Sequence, residues 1–490
     1  MRLTLGEVAS AARGEILAGD PALELASVSV DSRRLEAGGL FVALRAERDG
    51  HDFAARAVAA GAAAVLVERP PAGLPTGTGV VRVVDTGAAL GALGAYARGR
   101  LGEAVPVVGI TGSTGKTSTK DLTAAALGAR LAVSASPASW NNEIGVPLTL
   151  LATEEWAGAV VLEMGARGIG HIRTLAAMAG PRVGVITNIG MAHTEFFGSR
   201  AEVARAKGEL VEALPAGGTA VLSADDDATA GLATRTRAAV LTAGLDPSAD
   251  VAVSNVRLDA DLRPSFRLDT PWGAVEVGPI PVRGGHQATN AALAVAVAGA
   301  LGVDVEAAAG GLASTTGSAW RMELSRTPAG LVVLNDAYNA NPTSMAAALQ
   351  ALQGLNGRRR FAVLGHMAEL GAVSDEEHRR IGRLAAGAGV AVVVAVGREA
   401  APLAEGAAEA GAQVVHVESP DAALAVLAGQ LRPGDAVLVK ASRVVGLEAL
   451  AAALCSLDFG ATPSRSLDFG ATPNPLDFGD TPNPGGEPPR

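Results

Sequence analysis

A lysine that can neutralise phosphate charge, a hydroxyl that can ligate a divalent cation and two flanking glycines stand together in Thr111-Gly112-Ser113-Thr114-Gly115-Lys116-Thr117-Ser118. Glycine permits the tight turn in which successive N–H groups face one anion. Lys116 would reach the terminal phosphates of a nucleotide, and the Thr117 hydroxyl would ligate Mg2+. The pattern G-x-x-x-x-G-K-[ST] asks for a first glycine at position 110, which is Ile110; Gly109 stands one place early. Such a loop needs a strand before it and a helix N-terminus after it, where free amides and the macrodipole favour negative charge. The apolar run Val105 to Ile110 reads as that strand and Thr117 to Leu127 as that helix. A glycine-rich βα turn that binds nothing is the alternative.

Other groups that could do chemistry follow the loop. Glu163 closes the apolar run Val160-Val161-Leu162. A carboxylate there can hold Mg2+, or cap a helix. His193 follows Asn188-Ile189-Gly190-Met191-Ala192, and alone it reads as a packing residue. Lys207, in Ala206-Lys207-Gly208-Glu209, alone reads as a solvated lysine on a helix. Asp31, Ser32 and Arg33 end a strand and could hold a nucleotide diphosphate or sugar; equally, they could cap a turn.

The elements that must position these groups alternate strand and helix, which predicts an α/β fold with mostly parallel sheets flanked by helices. Residues 1–100 read as a small N-terminal α/β domain, with strands ending near Arg33, over 39–44 and over 62–67. Within it, Asp49 to Phe53 caps an alanine-rich helix. Residues 101–316 read as a central domain around the phosphate loop, with strands near 105–110, 158–163 and 183–188. Residues 250–282 alternate polar and apolar around Pro264 and Pro271-Trp272-Gly273, as antiparallel hairpins do. A helix follows from Gln287 to Leu301. Residues 317–454 carry five strand-like runs (331–335, 361–365, 391–396, 412–417, 436–440) and read as a second doubly wound, Rossmann-like unit. Open α/β sheets bind ligands at the carboxyl ends of their strands. Arg358-Arg359-Arg360 reads as a solvated basic loop. Residues 455–490 repeat LDFGATP at Leu457 and Leu467 and LDFGDTP at Leu476. Three short Pro/Gly-rich copies cannot bury a core, so this reads as a disordered tail, with Phe459, Phe469 and Phe478 as candidate docking anchors.

Composition narrows the classes. A chain of 490 residues that is 49% hydrophobic and 18% charged has material for several cores. Its net charge of −10 opposes general nucleic-acid binding. The single cysteine, Cys455, excludes an internal disulfide and a cysteine-based zinc cluster. The N-terminus has no apolar h-region, and the longest uncharged stretch, Gln287 to Val303, is too short to span a membrane. The expectation is a cytoplasmic, monomeric enzyme acting on small molecules.

The segments TGSTGKTSTK, SWNNEIGVPLTLL, VLEMGA, NIGMAHTEFFGS, ARAKGEL, GGHQATNAA, DAYNANPTSM, MAELG and VKASR occur in this order. They resemble the ATP-dependent Mur ligases that build the peptidoglycan precursor. DSRRLEAGGLFVAL with DGHDF resembles their N-terminal uridine-nucleotide domain, and the resemblance covers about residues 1–454. DAYNANPTSM with MAELG is most similar to the branch that joins D-alanyl-D-alanine (D-Ala-D-Ala) to UDP-N-acetylmuramoyl-tripeptide (UDP-MurNAc-tripeptide).

The resemblance implies a three-domain architecture, ATP and Mg2+ as cofactors, and a role for each matching residue. Thr111 to Ser118 would hold the ATP phosphates. Thr117 and Glu163 would share one Mg2+ and His193 would serve a second. Lys207 matches a lysine that the family carbamylates, which turns a repelling ammonium into an anionic metal ligand. Lys116, Glu163, His193 and Lys207 form the implied catalytic set. Asn142 would lie near the γ-phosphate, Asn290 against adenine with His286 beside it, and Arg321 and Asp336 at the phosphates and ribose. Asp31, Ser32 and Arg33 would hold the uridine nucleotide. Tyr338, Asn339, Asn341, Lys440, Ser442 and Arg443 would contact the dipeptide or shape the cleft. The chain departs from the family pattern at Trp320, His366, Gln287 and Ala441, and His366 replaces an acidic residue. The implied reaction activates a carboxylate as an acyl phosphate, which an amine then attacks. A diamino-acid-adding ligase of the same family and a phosphate-loop NTPase without ligation are the rival readings.

Overall fold

The computed structural model describes residues 1–190 and 194–457. His193 and the repeats beyond Leu457 lie outside the described residues. Strands form where short runs of Val, Ile, Leu and Ala are bounded by glycine or polar residues, and the central ones are buried at every position, as expected between two helical layers.

Three sheets of five or more strands carry the described residues, beside a two-stranded pairing of Leu3–Thr4 with Glu24–Leu25. The first has strands β1 (Glu15–Ala18), β2 (Val28–Ser29), β3 (Leu40–Val42), β4 (Ala64–Val67) and β5 (Gly79–Arg82), in the order β1-β5-β4-β3-β2. Only β1 is antiparallel. Asp49 caps the turn Gly50–Phe53, which runs into the helix Ala54–Ala59. Helix α1 (Thr86–Leu101), capped by Asp85, leads to the second sheet.

That sheet has β6 (Val107–Thr111), β7 (Val133–Ala135), β8 (Ala159–Glu163), β9 (Val183–Ile186), β10 (Thr219–Ser223), β11 (Ala239–Gly244), β12 (Val251–Leu258), β13 (Pro264–Thr270) and β14 (Gly273–Val277). The spatial order is β14-β13-β12-β11-β10-β9-β6-β8-β7. It is parallel as far as β12 and ends in the two expected antiparallel pairings. Its helices include α2 (Lys116–Gly128), α3 (Gly145–Ala152), α4 (Arg200–Glu212) and α5 (Gln287–Ala300). The chain runs from β6 outward to β7 on one side and later to β9 on the other. The loop after β6 therefore lies at the point where strand order reverses, the position at which such sheets open a crevice for ligands.

The third sheet has β15 (Glu323–Arg326), β16 (Val332–Asn335), β17 (Arg360–Gly365), β18 (Val392–Val396), β19 (Gln413–Val417) and β20 (Ala436–Lys440), in the order β15-β16-β20-β17-β18-β19. The five expected runs all pair in parallel; the edge strand β15 is an antiparallel addition. Helices α6 (Pro342–Gly354) and α7 (Ser374–Gly387) cover one face. The basic run 358–360 is not a free loop. Arg359 pairs with the fully buried Asp435 at 2.6 Å, and Arg360 donates to the carbonyls of Leu352 and Gln353.

The first two sheets share one apolar core, in which Leu90, Leu93 and Ala97 of α1 meet Val146 and Leu150 of α3. The approach is close: a Cβ on Gly94 would lie 2.5 Å from the Pro147 Cβ. No helix among the described residues is long and apolar enough to cross a membrane.

Candidate active site

The loop between β6 and α2 turns on two glycines in the positive-φ region, Gly112 at +151° and Gly115 at +79°. A Cβ on Gly112 would stand 1.8 Å from the Thr187 hydroxyl, and one on Gly115 would stand 2.9 Å from Asn290 Oδ1. Gly109 belongs to β6 and packs against Leu210 and Met164, so the cradle begins at Gly112. The N–H groups of Lys116, Thr117 and Ser118 open the first turn of α2, where no carbonyl four residues back can accept them. Those of Ser113 and Thr114 donate to the backbone and side-chain oxygens of Asn188, at 3.0 and 2.9 Å. Lys116 curls over the loop, its Nζ 2.8 Å from the Gly112 carbonyl. Burial pulls its pKa down, Glu163 opposes this and Arg321 adds to it.

A hydrogen-bond relay crosses the mouth of the cradle. Arg321 Nη2 lies 3.2 Å from Ser139 Oγ, Ser139 Oγ lies 3.2 Å from Thr117 Oγ1, and Thr117 donates to Glu163 Oε2 at 2.7 Å. The other oxygen of Glu163 accepts from Asn141 Nδ2 at 2.7 Å. Glu163 is 1% exposed at the end of β8. The loop thus brings Asn141 to this carboxylate. Asn142 points its Oδ1 at the amides of Ile144 and Gly145 instead, holding the start of α3. Neither Ser139 nor Asn141 was singled out from the sequence. The signal was their place beside Asn142 in SWNNEIG, but residue types there do not say which amide faces the carboxylate.

Lys207, on α4, is 1% exposed. Burial drives its pKa well down, and the charge of Lys116 lowers it further. Its neighbour Glu209 is spent on the amides of Gly170 and Arg173. Burial works against its charge, so this is not the solvated lysine read from the residue alone.

From the third sheet, Arg321 stacks over the Tyr338 ring, 4.2 Å from its centroid. Asp336 and Lys440 close β16 and β20 side by side, with Lys440 Nζ also 2.7 Å from the Asn339 carbonyl. Arg443 lies over the Trp320 ring at 4.4 Å and pairs with Glu448. Asn341 caps α6 in a reciprocal pair with Ser344. Ser442 accepts from Ala368 N–H and donates to the Ala340 carbonyl. These last two side chains are occupied in shaping the strand ends. Asn290 donates to Gln287 and accepts from Thr119 behind the cradle. Asp31 and Arg33 form a two-pronged ion pair with each other in the first sheet, and the guanidinium holds the Asp31 carboxyl below its usual range.

The donor set suits a hard cation. Thr117 Oγ1, Ser139 Oγ and Glu163 are oxygens within one cluster. No group of three His, Cys, Asp or Glu converges among the described residues. Mg2+ needs no such cage, since it is commonly held by one or two carboxylates, water and substrate phosphates.

Comparison with known proteins agrees with the motifs. Family models match three consecutive parts of the chain: "Mur ligase family, catalytic domain" at residues 24–97, "Mur ligase middle domain" at 110–298 and "Mur ligase, glutamate ligase domain" at 320–443. The chain is 43% identical over 474 residues to the UDP-N-acetylmuramoyl-tripeptide–D-alanyl-D-alanine ligase of Mycobacterium tuberculosis strain H37Rv, covering 88% of this chain and 92% of that one. It is 35% identical over 425 residues to the ligase of that name from Bacillus subtilis, covering 86% and 91%. Among solved structures it is similar to MurF from Acinetobacter baumannii, with a TM-score of 0.84, 32% identity and coverage of 93% and 99%. MurF from Thermotoga maritima in complex with ADP superposes with a TM-score of 0.74 at 28% identity, covering 88% and 96%. The chain belongs to the Mur ligase family.

Proposed function

We infer that this chain is an ATP-dependent ligase that joins D-Ala-D-Ala to UDP-MurNAc-tripeptide in peptidoglycan precursor synthesis. The observation that carries the reading is the relay Arg321–Ser139–Thr117–Glu163 across a phosphate cradle, in a chain similar over 86–88% of its length to ligases of that name. Three domains, divided at about residues 100, 316 and 454, would supply the uridine-nucleotide site, the ATP site and the dipeptide side of the cleft.

A carboxylate resists nucleophiles because it is already negative. Its oxygen attacks the γ-phosphorus of ATP, the bond to the β-phosphate oxygen breaks, and ADP leaves. The resulting acyl phosphate has a good leaving group. The neutral amine of the dipeptide attacks its carbonyl carbon, phosphate leaves with the bonding pair, and the nitrogen loses a proton. Catalysis is chiefly positioning and cancellation of charge. Lys116 and the amides opening α2 bind and orient the phosphates, and Arg321 brings a second cation from the third domain. Glu163 and Thr117 would hold Mg2+, which when bound neutralises phosphate oxygens. Burial disfavours the Lys207 ammonium and so favours the amine, the form that would add CO2 with loss of a proton to give a carbamate, a further oxygen ligand. Water destroys an acyl phosphate, so closure of the domains around it protects the intermediate.

The test is ADP release with UDP-MurNAc-tripeptide, omitting each substrate in turn and exchanging D-Ala-D-Ala for D-Ala or diaminopimelate. Release that requires the tripeptide and D-Ala-D-Ala together is expected. Release indifferent to D-Ala-D-Ala would leave an NTPase, and preference for diaminopimelate would make this a different ligase.

A further inference from the structure

One buried lysine has no part in the reaction as described. Lys120 lies one turn beyond Lys116 on α2 and is 3% exposed. A buried ammonium is tolerated only when its donors are used. Nζ donates to the carbonyls of Ser136 (2.7 Å) and Ala138 (3.0 Å) and lies 2.8 Å from Asp121 Oδ1. Those carbonyls belong to the stretch that carries Ser139 and Asn141, the side chains on Thr117 and Glu163. Within it Ala138 has φ +44°, a backbone region a non-glycine residue enters only where its surroundings hold it.

On the side that faces α2 this loop is not closely packed. A cavity of about 470 Å³ lies between α2, residues 135–138 and the connection 314–319, and Lys120 and Asp121 line it. Across that space the Ser318 hydroxyl donates to Asp121 Oδ2 at 2.6 Å. Ser318 stands three residues before Arg321. Adjacent residues of one helix turn thus anchor both the loop that presents Ser139 and the connection that delivers Arg321 to it.

We propose that Lys120 is a positioning residue for ATP use: with Asp121 it locks the Ser139 loop and the third-domain connection to the phosphate-loop helix, so that the Arg321–Ser139–Thr117 relay forms. The proposal rests on the ligase reading above for its activity assay. Lys120 touches no reacting atom, so its loss should act through Ser139 and not through the fold.

The experiment is a cycle of Lys120→Met, Ser139→Ala and the double variant, with Lys120→Arg as the conservative partner. Steady-state constants for ATP, affinity for a fluorescent ATP analogue without the other substrates, and Tm are measured on each. Lys120→Met is expected to lower kcat/KM for ATP by about tenfold to a hundredfold, the range that a small misplacement of reacting groups costs. Lys120→Arg should recover most of it, and the double variant should be no worse than the worse single one. Losses that multiply in the double variant, or a fall in Tm with kcat/KM intact, would overturn the proposal. Should Lys120→Met not fold, Asp121→Asn replaces it, since that change removes the carboxylate charge and one of the two oxygens that hold Lys120 and Ser318. An unchanged kcat/KM in both Asp121→Asn and Ser139→Ala would also overturn it. If the wild-type chain ligates nothing, the functional reading fails. The analogue's affinity then decides the role of Lys120: weaker binding in Lys120→Met supports it, and unchanged binding overturns it.

Discussion

Lys440 Nζ sits 2.5 Å from Asp336 Oδ2, and both side chains close neighbouring strands of the third sheet. The family resemblance implies a place at the phosphates and ribose for Asp336 and at the dipeptide or the cleft wall for Lys440; the fold also pairs them with each other. Burial lowers the Lys440 pKa, while Asp336 works to raise it. Asp336→Ala would leave a buried ammonium with carbonyl partners only. A loss of about 3 to 5 kcal/mol is expected by denaturant unfolding, with much of it recovered in Asp336→Ala/Lys440→Met. A loss no larger than that of a surface substitution would show that the pair does not hold the strand ends.

Asn141 and Asn142 are adjacent and chemically alike, yet their substitutions should differ. Asn141→Ala removes a donor from Glu163 and is expected to weaken Mg2+ dependence and kcat with little change in Tm. Asn142→Ala removes the acceptor of the Ile144 and Gly145 amides ahead of α3 and should cost about 1 kcal/mol of stability, the usual net worth of such a hydrogen bond. Mg2+ titrations and melting curves on the two variants read the contrast directly.

Lys116→Ala should abolish ADP-forming ligation while leaving the circular dichroism spectrum unchanged. Among the described residues the lysine bonds only its own loop, so little of the fold depends on it. Near-normal turnover would remove it from the phosphate site.

Lys207→Ala should lose ligation, and short carboxylic acids in the assay should restore part of it by filling the space of a carbamate. Full activity without added acid would show that Lys207 holds no metal.

Asp49 predicts an acid limb of stability. Burial raises its pKa, but hydrogen bonds from the His51 amide and ring and from Arg69 outweigh this and hold the carboxyl at about 2. An unfolded aspartate titrates near 3.9. The ionised, bonded form therefore contributes stability above about pH 4, and that contribution falls away as pH drops toward 2. Asp49→Asn should flatten the unfolding free energy across that window, with little further change between pH 5 and 7.

What the sequence determined by itself was local. Apolar runs of strand length located the buried strands β6, β8 and β9 and four parallel strands of the third sheet, because a strand covered on both faces must be apolar throughout, while the fifth, the edge strand β19, was legible from its Val414, Val415 and Val417. Gly112 and Gly115 announced the cradle, because few other residues adopt that backbone. The exposed edge strands β1 and β15 lacked the signal, since they bury too little to be distinctive. Only the tertiary structure decided which polar groups meet. Thr117 and Glu163 are 46 residues apart and Ser139 and Arg321 are 182 apart. Their contact depends on strand order and on how the third sheet approaches the second. That two neighbouring asparagines face opposite ways, and that Lys120 and Lys207 are buried, likewise follows from packing, which composition along a chain does not encode residue by residue.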